Sequence, residues 1–236
     1  MSSSTLPAKD PLATAAVEAI RAGRVDALCD MLGRHPWLAT ARVQAQNGTR
    51  RSLLHILADW PGHSPNGAAT VAALVEAGAD VDAPFAGGFH RETPLHWAAS
   101  GDDVEVLDTL LDVGADIDAA GGVIGGGTPL DDAVAFGQWR AARRLVERGA
   151  RIALWHAAAL GLVDRVEAAF VPGAPLCAHE VTAAFWAACH GGQRATAELL
   201  LERGADADWV GPDGLTALQA ARRSGADDVV AWLVER

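Results

Sequence analysis

A short stretch of sequence returns, with variations, along almost the whole chain. A chain built this way has few options: each copy is too small to bury its own apolar face, so copies must stack on one another. The fullest copy is Glu92-Thr93-Pro94-Leu95-His96-Trp97-Ala98-Ala99, which runs on to Leu110-Leu111 and then Gly114-Ala115-Asp116. Thr93 offers a hydroxyl to cap a helix start, and Pro94 suits the first helical position, where no N–H is missed. Leu95 and the two alanines let paired helices approach closely. Gly114 can end the second helix in a left-handed conformation. Later copies read GTPLDDAVA, RIALWHAAA, VTAAFWAAC and LTALQAARR. The Thr-like position then falls at Thr14, Ser52, Thr93, Thr128, Ile152, Thr182 and Thr216, which gives seven copies. A glycine follows at Gly23, Gly101, Gly137, Gly161, Gly191 and Gly225.

The stretch resembles the signature of the ankyrin-repeat family, T-P-L-H-x-A, and the resemblance extends over nearly the whole chain. It implies an all-α fold: an ankyrin-repeat solenoid of helix pairs carrying β-hairpin fingers. It also implies a binding module without cofactors that recognises a protein or peptide partner, in a family that binds many different things. The expected organisation is a flexible N-terminus over residues 1–11 and a single domain over residues 12–236.

Composition narrows the partner. The formal net charge is −11. That disfavours nucleic acid and anionic membrane surfaces, whose phosphates ask for a basic patch, and it favours a basic partner or plain solubility. Three cysteines, Cys29, Cys177 and Cys189, make no paired motif, so a reducing cytoplasm is expected and a disulfide framework is not. Met1 to Asp10 lacks the apolar centre of a signal peptide, and no apolar run approaches the ~20 residues of a membrane span. Usage rich in Ala, Gly and Arg, with no tyrosine, suggests a high-GC bacterial source.

Spacing varies along the chain. The starts lie 38, 41, 35, 24, 30 and 34 residues apart, against a family period of about 33. The step of 24 leaves no room for a finger between Gly149 and Ile152. The next link, through Pro172-Gly173-Ala174-Pro175, is also short. Asn47-Gly48 signals a hairpin turn. Gly121 to Gly127 is read as a finger tip and not a phosphate loop, because the Lys-Ser/Thr ending is missing.

The resemblance also implies which residues face the groove: the fourth and eighth after each Thr-like position. The fourth are Ile56, Trp97, Asp132, His156, Trp186 and Ala220; the eighth are Trp60, Gly101, Phe136, Leu160, His190 and Ser224. Two readings stay open. In one, finger tips and groove bind a protein or peptide through Phe85, Phe89, His90, Trp97, Phe136, Trp186 and Trp209. In the other, Trp97, Asp132, Phe136, His156, Leu160, Trp186 and His190 enclose a hydrophobic small molecule, and Asp132 with His156 moves a proton, as in an isomerisation or cyclisation. Against the second reading, Asp132 and His156 can be a satisfied structural pair, or two solvated polar residues on an open groove. Metal is not expected, since no His-x-x-x-His or Cys-x-x-Cys spacing is present. His55 and His96, at the signature position, are read as structural, with Asp131 and Trp155 standing in their place in the fourth and fifth copies.

Overall fold

The computed structural model describes residues 4–170 and 176–236. They fall into two compact units, Met1–Ala150 and Arg151–Arg236.

The N-terminal unit opens with strand β1 (Thr5–Pro7), followed by helices α1 (Pro11–Arg21) and α2 (Val25–Arg34). Strands β2 (Arg42–Gln44) and β3 (Arg50–Ser52) come next, then helices α3 (Leu53–Ala58) and α4 (Gly67–Glu76). The pairs α5 (Pro94–Ser100) with α6 (Val104–Asp112), and α7 (Pro129–Ala135) with α8 (Trp139–Glu147), complete it. The strands form one small sheet in the order β1-β2-β3, with β1 parallel to β2 and β2 antiparallel to β3. The β2–β3 turn holds Asn47-Gly48, as the hairpin signal predicts. The start of the chain differs from expectation. Thr5, Leu6 and Pro7 lie in register with Arg42, Val43 and Gln44, so this part of the N-terminus is sheet edge and not a loose tail.

Helices of six to thirteen residues are unstable alone. Packing holds them. α5 buries Leu95, Ala98 and Ala99, and α6 buries Val106, Leu107 and Leu110. A buried leucine contributes about 2 kcal/mol, and small alanines on the first helices allow close approach of the pairs. Caps settle the ends. Thr128 Oγ1 accepts the Asp131 N–H at 3.3 Å, and Thr216 Oγ1 accepts the Gln219 N–H at 3.3 Å.

The C-terminal unit pairs α9 (Leu154–Ala159) with α10 (Val163–Ala168), α11 (Ala178–His190) with α12 (Arg194–Glu202), and α13 (Ala217–Arg223) with α14 (Asp227–Val234). The Pro172–Pro175 link lies outside the described residues. Two starts differ from the sequence reading. The cap of α9 is Ala153, not Ile152. α11 begins one turn before Thr182, capped by Glu180, whose carboxylate accepts the Cys177 N–H at 2.8 Å.

Candidate functional site

The fingers of the N-terminal unit bring the sequence-predicted residues together in an unexpected way. The segment from Phe85 to Glu92 closes on itself, with the Phe85 N–H donating to the Glu92 carbonyl at 2.7 Å. Phe85, expected on the finger surface, is only 7% exposed. It stacks on His90, centroids 4.5 Å apart and planes 7° off parallel, and it meets Trp97 at 5.6 Å. That corrects its role: Phe85 is the finger's internal anchor, because a ring of this size packs more favourably against two others than against water. Phe89, four residues on, is 89% exposed.

Glu92 is the residue that sequence reasoning passed over. Its side chain is buried beneath the finger. One carboxylate oxygen accepts the Trp97 Nε1–H at 2.7 Å and lies 3.0 Å from His90 Nδ1; the other accepts the Val123 N–H at 3.0 Å. Only the position of a carboxylate just before the cap threonine, five residues ahead of a tryptophan, hinted at this. Asp132 projects from α7 into the same region and is fully buried. Its Oδ1 accepts a long bond from the Ile124 N–H at 3.4 Å, while Oδ2 meets no N–H or hydroxyl donor. Burial, then the charge of Glu92, push the Asp132 carboxyl up to about 8. A Cβ at Gly122 would sit 2.9 Å from Asp132 Oδ1, so a side chain there would displace that carboxyl. The Gly-rich finger is therefore tied down through backbone N–H groups on two buried carboxyls.

The signature histidines are structural. His96 Nδ1 accepts the Thr93 N–H at 3.1 Å, and Nε2 donates to the Gly127 carbonyl at 3.2 Å. His55 Nε2 donates to the Glu92 carbonyl at 3.0 Å, leaving Nδ1 to accept the Ser52 hydroxyl at 2.7 Å. Burial drives the His55 imidazole down to about 3 and lowers that of His96 as well. Asp131 does the capping part of this work: its carboxylate accepts the Thr128 N–H and hydroxyl. Phe136, the C-cap of α7, is 48% exposed.

In the C-terminal unit the register shift changes the reading of His156. It sits three residues after the Ala153 cap and accepts the Ala153 N–H at 3.0 Å on Nδ1. That is the place and bond of His96, so His156, and not Trp155, is the signature histidine of its copy. Leu160 is buried. Trp186 is half-buried and donates its Nε1–H to the Leu215 carbonyl at 2.8 Å, under a finger where a Cβ at Gly211 would come within 2.6 Å of that nitrogen. His190 is buried, with Nδ1 2.7 Å from the Ser224 hydroxyl. Trp209, expected as an exposed anchor, is half-buried with its ring set edge-on to His179 at 5.4 Å; Val210 beside it is 52% exposed. Burial pushes the Cys189 thiol up to about 12, far from a reactive thiolate.

The family model described as ankyrin repeats (3 copies) matches residues 54–156 and 154–236. The chain belongs to the ankyrin-repeat family. A curated relative, the ankyrin repeat and KH domain-containing protein mask-1 of Caenorhabditis elegans, is 28% identical over 190 residues, 80% of this chain and 6% of that one. The chain thus spans a small part of the relative's length. The crystal structure of the human ASB11 ankyrin repeat domain superposes with a TM-score of 0.54 at 22% identity, covering 95% of this chain and 98% of that one. Ankyrin-repeat domains serve in general as protein–protein interaction modules. Among the described residues no helix is long and apolar enough to cross a membrane.

Proposed function

We propose that this ankyrin-repeat protein binds a basic protein or peptide segment through the finger tips and first-helix face of its N-terminal unit. The observation that carries the reading is the contrast inside one finger: Phe89 is 89% exposed while Phe85 and His90 hold the loop beneath it. A solvent-facing ring on a braced loop offers an aromatic anchor to a partner. Phe136 at the end of α7 adds a second exposed ring.

Charge supports the basic character of the partner. Asp116 donates its N–H to the Asp82 carboxylate at 3.1 Å, and Asp82 in turn donates its N–H to Asp80 at 3.1 Å. Burial holds the Asp82 carboxyl above the usual range; the bond from the Asp116 N–H opposes it, and the charges of Asp116 and Asp80 add to it. A cation arriving at this ladder relieves that repulsion. The exposed thiols of Cys29 and Cys177 suit a reducing cytoplasm.

The small-molecule and proton-transfer reading lacks comparable support. Asp132 is buried under the Gly-rich finger, and His156 has a bond to its own cap. A random peptide library selected on the protein tests the proposal. Lys- and Arg-rich sequences should enrich, bind more weakly as salt rises, and fail to enrich on Phe89→Ala. Enrichment of acidic or neutral sequences would reject it.

A further inference from the structure

We propose that Glu92 and Asp132 form a proton-shared latch that fastens the Gly121–Gly127 finger, and that alkaline pH opens it. The two carboxyls take the N–H groups of consecutive residues, Val123 on Glu92 at 3.0 Å and Ile124 on Asp132 at 3.4 Å, which brings them to the same turn of the finger. The donors are divided unequally. Glu92 receives the Trp97 Nε1–H and the Val123 N–H, with His90 Nδ1 beside it. Asp132 has a single long bond from Ile124 and one oxygen that meets no donor. A buried acceptor without a donor, next to a second carboxyl, is satisfied by carrying a proton itself. The proton therefore rests on Asp132 and is donated to Glu92.

Within the N-terminal unit the ionisable groups facing this pair are Asp131 from the same helix, His90 from the finger and His96 from α5. Asp131 adds negative charge, and burial keeps His96 neutral. Loss of the proton leaves two carboxylates side by side in a poorly solvated space, where like charges repel strongly. The position of the Asp132 carboxyl, up to about 8, places the transition at mildly alkaline pH. The finger is the element able to yield, because Val123 and Ile124 hang from the two carboxyls by their N–H groups. Its own closure relies on short turns such as Gly127 N–H to Ile124 O at 2.9 Å. Ile124, 37% exposed, would move with it.

Hydrogen exchange of the Val123 and Ile124 amides, corrected for intrinsic rates, tests the latch. Protection should fall by about tenfold or more between about pH 7 and about pH 9 in the wild type, one pKa unit being one decade. It should stay level in Asp132→Asn, whereas Glu92→Gln, which removes the second charge but leaves Asp132 buried, should move the step to a different pH. If one variant fails to fold, the other carries the test. An infrared band from a protonated carboxyl at neutral pH should be present in the wild type and absent in Asp132→Asn. A wild type with level protection, a step that survives in Asp132→Asn or stays unmoved in Glu92→Gln, or no protonated-carboxyl band in the wild type overturns the latch.

Discussion

The third and fifth copies of the repeat place a histidine in the same spot and advertise it very differently. In the third, Thr93-Pro94 marks the helix start, and His96 accepts the cap N–H at 3.1 Å. In the fifth, Ala153-Leu154 does the marking, and His156 accepts its cap N–H at 3.0 Å. The bond is the same, but only the first copy has residues whose chemistry announces it. One slipped position turned a structural histidine into a candidate groove residue. In a short helix the register decides which side chain faces a neighbour and which closes the backbone.

The comparison can be broken most forcefully at His96. His96→Ala removes the acceptor for Thr93 and the donor for Gly127 in a buried setting, and it should cost about 3 kcal/mol in denaturant unfolding. A loss under about 1 kcal/mol would mean that the side chain does not bridge cap and finger.

A pH series tests the buried imidazoles next. The folded state holds His55 neutral down to about 3, whereas the unfolded chain takes up its proton near the ordinary histidine value. Between those values the unfolded state binds more protons, so stability falls as pH drops, by up to about 1.4 kcal/mol per pH unit for this group. The His55 ring resonances should stay in the neutral form until about 3. Titration near the ordinary value would contradict its burial. Asp132 works in the opposite direction. Its folded-state carboxyl lies above the unfolded value, so it takes stability away as pH rises from the carboxylate range to about 8. Asp132→Asn should flatten that limb of the stability profile.

The register itself can be sharpened with a gain. Ala153 has an extended cap conformation, φ −84° and ψ 166°, and lacks only the hydroxyl that Thr128 and Thr216 supply. Ala153→Thr should stabilise the protein by about 1 kcal/mol, and Ile152→Thr should not. The reverse result would restore the sequence-based register. The smallest effect is expected at Phe89→Ala, whose change in stability should stay within about 0.5 kcal/mol because the ring touches little.

Much of the fold was legible because caps and breakers are local. Thr93, Thr128 and Thr216 each sit one residue before a helix, as their hydroxyls suggest. Where the cap chemistry changed, the boundary moved. Cys177 with Glu180 starts α11 a turn early, and Thr182 turns up inside the helix, accepting the Asp206 N–H at 3.0 Å. The site was harder to read, because it depends on which of two like residues is packed. Phe85 and Phe89 are the same residue type in one finger and both meet His90, and it is the packing of Phe85 on Trp97 that marks it as the anchor. Glu92 stayed hidden because its partners, Val123 and Asp132, lie thirty-one and forty residues away along the chain.

In the proposed reading, function resides on the finger surface, and the buried carboxyls and histidines hold that surface in place. Calorimetric affinities at neutral pH for one selected basic peptide test it most directly. Phe89→Ala should weaken binding by about tenfold or more, while Asp132→Asn, which mimics the protonated latch, should leave affinity within about twofold. An unchanged affinity for Phe89→Ala beside a large loss for Asp132→Asn would contradict the account.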